Sequence, residues 1–301
     1  MKYLWFGVLF LSSAILISQS SNPASFKDNA DVMVVGVAHD NSIMGGGIGS
    51  SHFLPPGKAE VQPIAWITPA GEWKKIFCVW TNGPGLSPAC KRFDRDYLSK
   101  PHDYTVVSAD GLDTVVHVKR MGLDTDCFGY GGDGHFTGGP IKSAGVAVES
   151  SANFISGSSA HRLSEEDAQP IRLALAATVG KKLDSTEELR VYSVVLEGRS
   201  LLVVQRAFQD YADKPKYAPD QHVNLDFILA IGEIREGHFR LLHWKENTGD
   251  DNEQILGLIR LKSGRDYLVD TTSDPESYSF RIYGIRNGKL TMIFEGGGGG
   301  C

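Results

Sequence analysis

Leu196-Glu-Gly-Arg-Ser-Leu-Leu-Val-Val and Leu261-Lys-Ser-Gly-Arg-Asp-Tyr-Leu-Val are two versions of one pattern, an aliphatic run, a glycine turn and a second aliphatic run. Each opens a longer series. Leu189–Leu196, Leu201–Phe208, Leu225–Ile234 and His238–Trp244 are β-branched or aromatic-rich runs bounded by Gly, Asp or charged turns, which reads as four strands. The same order returns in Ile255–Leu261, Tyr267–Thr271, Tyr278–Ile285 and Lys289–Phe294, where Ile234-Arg-Glu-Gly-His-Phe-Arg-Leu-Leu is matched by Ile285-Arg-Asn-Gly-Lys-Leu-Thr-Met-Ile. Turns this short join antiparallel neighbours, because parallel strands need a long crossover. The expected fold is therefore mainly β, with antiparallel four-stranded meanders that are propeller-blade-like or form a repeated sheet.

Working outward, Ile64-Ala-Trp-Ile-Thr-Pro-Ala-Gly-Glu-Trp-Lys-Lys-Ile76 has the same strand, glycine turn and aromatic order. Tyr104–Ser108 and Thr114–Lys119, joined by Ala109-Asp-Gly111, read as another hairpin. Met121 to Gly139 is Gly- and Asp-rich without a hydrophobic period and is expected to be a long loop. One short helix is expected near 168–180, with acidic residues in its first turn, Pro170 near its first position, and Gly180 and Lys181 at its end. The resulting organisation is a leader over 1–20, an N-terminal β section over 26–160, a helix or linker over 164–182 and the repeated section over 185–301.

Composition narrows the class. The chain has 301 residues, 34 of them Gly, with 42% hydrophobic and 22% charged residues, which excludes a disordered chain; the absence of a G-x-y period excludes collagen. A net charge of −6 argues against nucleic acid as a partner. Lys2 followed by the apolar run Tyr3–Ile17 and by Ser18-Gln-Ser20 has the form of a signal peptide cut after Ser20; at 15 residues the run falls short of the ~20 that a spanning helix needs. The expected location is secreted or periplasmic, with no stable membrane anchor after cleavage.

Export bears on Cys78, Cys90, Cys127 and Cys301, for which three pairings are open. Cys78 and Cys90 flank a turn-rich loop that brings its ends together, which favours Cys78–Cys90 and leaves Cys127–Cys301 to tie down a flexible Gly296–Gly300 tail. Zinc is disfavoured, since no C-x2-C or H-x3-H pair occurs.

Residues from about Leu189 to Cys301 resemble exported bacterial proteins with degenerate FG-GAP or integrin-α-like repeats. The stretches that carry the likeness are Ile255-Leu-Gly-Leu-Ile-Arg-Leu-Lys-Ser-Gly-Arg-Asp-Tyr-Leu-Val, Tyr278-Ser-Phe-Arg-Ile-Tyr and Glu295-Gly-Gly-Gly-Gly-Gly-Cys301. The family's calcium loop reads D-x-D-G-D-G, whereas this chain has Lys262-Ser-Gly-Arg-Asp266 and Glu197-Gly-Arg-Ser200, so the resemblance implies a blade-like fold and a surface or binding role but not calcium.

Chemical signatures are few. Gly129-Tyr-Gly-Gly-Asp-Gly134 matches G-x-G-x-x-G, yet His135-Phe-Thr-Gly-Gly-Pro140 cannot open the helix that a dinucleotide needs. Asp124, Asp126 and Asp133 begin like an EF-hand loop that then lacks its later ligands, which reads as a solvated turn. The nucleophile elbow, H-E-x-x-H, P-loop and S-x-x-K motifs are absent, and adjacent pairs such as His102-Asp103 point to opposite faces of a strand. No catalytic residue, metal or cofactor is assigned. The segment Gln209–His222, with Tyr211, Tyr217 and His222, is the binding-loop candidate, because long loops on rigid β scaffolds carry recognition. The expected function is an exported non-catalytic β-rich protein that binds a protein or glycan. The alternatives are a glycan-directed hydrolase with carboxylates assembled from loops and a structural envelope component.

Overall fold

Three two-residue turns with both residues at positive φ set the C-terminal half: Glu197 and Gly198 (50° and 77°), Glu236 and Gly237 (53° and 78°), and Asn287 and Gly288 (51° and 70°). This type I′ geometry twists with the flanking strands and closes tight hairpins. The computed structural model describes residues 33–39, 57–68, 71–76, 88–109, 113–123, 130–140, 144–149, 154–155, 160–180, 189–206, 226–248, 252–273 and 277–300.

The first meander comprises β11 (Arg190–Leu196), β12 (Arg199–Arg206), β13 (Asp226–Arg235) and β14 (His238–Thr248). The second comprises β15 (Asn252–Leu261), β16 (Asp266–Ser273), β17 (Ser277–Arg286) and β18 (Lys289–Gly300). All their pairings are antiparallel, as expected. Two short strands, β9 (Phe154–Ile155) and β10 (His161–Arg162), add a fifth strand to the second and first sheets respectively. The Gly296–Gly300 tail, expected to be loose, instead completes β18, with Gly299 and Gly300 opposite Tyr278 and Ser277. Backbone ladder bonds need no side chain, so a run of glycines can finish a sheet edge.

The N-terminal part forms a third sheet from β1 (Met33–His39), β2 (Lys58–Ile67), β3 (Trp73–Lys75), β4 (His102–Ser108), β5 (Asp113–Val118), β6 (Gly122–Leu123), β7 (Tyr130–Phe136) and β8 (Gly145–Glu149). Six of these close into a barrel in the order β2-β1-β8-β4-β5-β7, because Lys58–Val61 of β2 pair with β7 while Ala65–Ile67 pair with β3. Val61, Tyr104, Val106, Val116 and Val118 belong to its core, joined by Phe93 of α1 (Pro88–Phe93) and Leu98 of the π-helical turn that follows.

The long loop expected over Met121–Gly139 is corrected here, since Tyr130–Phe136 is a barrel strand. Gly132 and Gly134 are buried. A Cβ on Gly134 would come within 2.3 Å of Val116, and one on Gly132 within 2.6 Å of Val118. Valines on β5 already fill the space, so the strand carries no apolar face that periodicity could detect.

The layers stack in the order helix, first meander, second meander, barrel. Tyr192, Val194, Val203 and Ile231 of the first meander meet Ile255, Leu258, Leu268 and Tyr283 of the second. The opposite face of the second meander, with Ile259, Val269, Phe280 and Ile282, packs on Val35, Ile64, Val146 and Val148 of the barrel. The outer face of the first meander is covered by α2 (Glu165–Val179) through Ala168 and Leu175. Sheets buried on both faces need apolar residues at successive positions, which accounts for unbroken runs such as Phe227–Ile231 and Ile255–Ile259.

Helix α2 begins earlier than its composition suggested. Ser164 is the N-cap and accepts a hydrogen bond from the Asp167 N–H, Pro170 lies inside, and Gly180 ends the helix at φ 66°. The cap, not the proline, sets the start.

Gly134→Ala should destabilise the chain by about 1–3 kcal/mol, the usual cost of overpacking. Gly139→Ala, where an added Cβ meets nothing within 4 Å, should stay within about 0.5 kcal/mol of the parent. Urea unfolding of the two variants provides the comparison.

Candidate functional site

The hairpin turns of both meanders and of the β2–β3 hairpin converge at one end of the stack. There they line a cleft of about 630 Å³ bordered by Gly71, Glu197, Ser263, Arg265, Tyr267 and Arg286. Asp266 holds its floor together. Its carboxylate is buried, accepts two hydrogen bonds from Arg260 (2.6 and 2.8 Å) and a third from the Glu197 backbone N–H at 2.7 Å, thereby joining the turns of the two meanders. Arg260 and Asp266 face each other across β15 and β16, so the turn Lys262–Arg265 sets the bidentate geometry. Arg199 adds a second tie between the sheets, donating to the Gly288 carbonyl at 2.6 Å while its guanidinium lies 3.0 Å from Glu233. Tyr267 is braced edge-on by Trp73, with ring centroids 5.2 Å apart. The rim is thus two arginines and a glutamate on short, fixed turns.

At the other end of the second meander sits a cluster of charges between the sheets. Glu253 and Asp270 are fully buried. Glu253 is met by His243 at 3.3 Å and by Lys245 and Arg281 at 3.1 Å each. Burial pushes its carboxyl up, but hydrogen bonds from His243, Asp270 and Lys245 outweigh that and hold it at about 2. Asp270 is the opposite case. Burial, then its hydrogen bond to Glu253, then the Glu253 charge all raise its pKa well above the usual carboxylate range. Among the described residues neither Asp270 oxygen meets an N–H or O–H donor. Burial and the neighbouring Glu253 charge both favour the protonated form of Asp270.

A third constellation lies at the barrel. His102 places Nδ1 2.9 Å from Glu149 and Nε2 3.0 Å from the Tyr97 carbonyl, stacked on the Tyr97 ring. Asp103 instead pairs with His117 at 2.6 Å. Neighbours in sequence thus pair on opposite faces of β4, as strand alternation requires. Tyr97 and Tyr104 share a buried 2.7 Å hydrogen bond that anchors the π-helical turn to the barrel wall.

Of the residues singled out from sequence, Cys78, Cys127, Cys301, Tyr211, Tyr217 and His222 lie outside the described residues, as do Asp124 and Asp126. Cys90 falls in α1, with its side chain outside the description. Asp133 is exposed on β7. Among the described residues there is no group of three or more His, Cys, Asp or Glu that could hold a metal ion, and no helix is long and apolar enough to cross a membrane. Sequence reasoning passed over Glu253, Asp270, Arg281 and Asp266. A signal was there: Glu253 precedes core-facing Ile255 by two positions, and Asp270 follows core-facing Leu268 by two, so strand parity aims both acids inward. Comparison with family models, with curated proteins and with solved structures finds no match for the chain.

Asp266→Ala leaves Arg260 and the Glu197 N–H without their acceptor and should cost about 3 kcal/mol, the scale for removing one partner of a buried ion pair. Asp266→Asn, which keeps an acceptor oxygen, should cost less. Denaturant midpoints of the two variants against the parent provide the check.

Proposed function

We propose that the chain is an exported, non-catalytic β-rich protein that binds a protein or glycan at the cell envelope or outside the cell, with the hairpin-turn cleft as the contact. The observation that carries this reading is the cleft itself, where Arg265, Arg286 and Tyr267 converge on turns held by Asp266. Fixed turns present guanidiniums at low ordering cost, and arginine and tyrosine are the residues that anchor interfaces. The resemblance of the C-terminal units to FG-GAP repeats supports the same role by analogy.

Glycan hydrolysis is the second reading, favoured by the acid pair Glu253 and Asp270 with divergent pKa values. Both carboxyls are, however, fully buried; the eight steps of β15 from Glu253 to Leu261 put about 26 Å of strand between Glu253 and the cleft turn, and the four steps of β16 from Asp270 to Asp266 put about 13 Å between Asp270 and it. A catalytic pair has to touch its substrate. Binding accounts better for an open cleft that lacks such a pair.

A panel of envelope glycans and secreted proteins, probed with the parent and with the double variant Arg265→Ala/Arg286→Ala, tests the proposal. Ligands retained by the parent should be lost by at least tenfold in the double variant, whose far-ultraviolet spectrum should be unchanged. Retention by both proteins would place binding elsewhere, and turnover of a panel glycan by the parent would favour the hydrolase.

A further inference from the structure

The outer wall of the barrel carries a row of side chains that neither the cleft nor the buried charge cluster uses. Tyr104, Val116 and Val118 point into the barrel core and Gly134 is buried. Strand alternation therefore turns Asp103 of β4, His117 of β5 and His135 of β7 outward. The ladder registers put the three in line: Asp103 stands directly opposite His117, and His117 directly opposite His135. Directly opposed residues share a face, with Cβ atoms about 4.5–5.5 Å apart. The Asp103 carboxylate lies 2.6 Å from His117 Nδ1. An ionised carboxylate only accepts, so the neutral ring carries its proton on Nδ1 and presents its lone pair at Nε2. His135 is exposed, and among the described residues neither His117 Nε2 nor the His135 ring has a hydrogen-bond partner.

We propose that His117 and His135 chelate a divalent transition-metal ion on the barrel wall, with Asp103 as the positioning residue behind His117. Imidazole nitrogen suits Cu2+, Ni2+ and Zn2+, whereas Ca2+ and Mg2+ take oxygen ligands. Two rings on directly opposed positions of neighbouring strands can share one ion at metal–nitrogen distances of about 2.0–2.1 Å. A ligating histidine commonly donates its other ring N–H to a carboxylate, which fixes the tautomer and the ring orientation. Asp103 stands where that partner belongs. The sheet already holds both backbone positions, so little beyond two side-chain rotamers has to be ordered on binding. Lys58 is opposite His135 on its far side, and Asp133, exposed two positions along β7 on the same face, offsets that charge. Two nitrogens do not form the closed four-ligand cage of a structural zinc site. Water completes the coordination, the ion stays exchangeable, and Cu2+ is held more tightly than Ni2+ or Zn2+. The site is separate from the cleft and does not depend on whether the cleft binds a ligand.

Titration of the purified full chain with Cu2+, Ni2+ and Zn2+, followed by calorimetry and, for Cu2+, by electron paramagnetic resonance, tests the site. The parent should bind Cu2+ most tightly, with nitrogen hyperfine coupling in its spectrum, and neither Mg2+ nor Ca2+ should compete. His117→Ala and His135→Ala, each checked for an unchanged far-ultraviolet spectrum, should lower the Cu2+ affinity at least tenfold. Asp103→Ala should weaken binding by about ten- to a hundredfold, and Asp103→Asn, which keeps an acceptor oxygen, should recover most of that loss. His161→Ala, which removes an exposed histidine whose register neighbour is Ser193, should leave the affinity unchanged. A parent that takes up none of the three ions would overturn the proposal, as would undiminished Cu2+ binding in the double variant His117→Ala/His135→Ala. An equal loss in Asp103→Asn and Asp103→Ala would remove Asp103 from its positioning role.

Discussion

The second meander is buried on both faces, and the rest of the molecule is arranged around that constraint. One face needs an apolar surface from the first meander, and the other needs one from the barrel. Neither partner can be withdrawn without exposing a sheet face to water, which at roughly 25 cal/mol per Å² of apolar surface outweighs any single polar contact. Close approach is built in at Gly257, where a Cβ would come within 2.6 Å of the Val107 carbonyl oxygen on β4. The helix then covers the one meander face still open.

The two ends of this stack carry charge networks that differ in kind. At the turn end, Asp266 and Arg199 tie hairpin to hairpin and leave arginines on the rim. At the far end, the buried Glu253 is met by Lys245, Arg281 and His243, and burial beside it raises the pKa of Asp270 well above the usual carboxylate range. Buried ion pairs cost desolvation and contribute little net stability. A cluster kept in spite of that cost points to register, to chemistry, or to both. Here it ties β14 to β15 through Lys245 and Glu253, and β15 to β17 through Glu253 and Arg281.

Much of the architecture was legible in the residues. The eight strands of the two meanders followed from runs such as Leu225–Ile234 and from the Glu-Gly and Asn-Gly turns, which adopt positive φ in the structure. What escaped was strand β7, because Gly132 and Gly134 erase the period that marks a strand when neighbouring valines fill the space. Barrel closure was equally hidden, since it depends on β2 changing partners midway from β7 to β3, a long-range choice without a local signature. The glycine tail misled in the other direction, as composition suggested looseness where backbone pairing completes β18. As for the site, the cleft is assembled from turns far apart in the chain, and no motif announces it. The inward acids were visible as charges on apolar strands, but their significance required knowing that both sheet faces are covered.

The dependence of the whole on the central sheet is tested most directly by native-state amide hydrogen exchange. Amides of Leu258, Ile259, Leu268 and Val269 should exchange only through global unfolding and be the slowest in the chain. If they exchange through a smaller opening than Val116 and Val118 of the barrel, the second meander is not the element around which the structure is built.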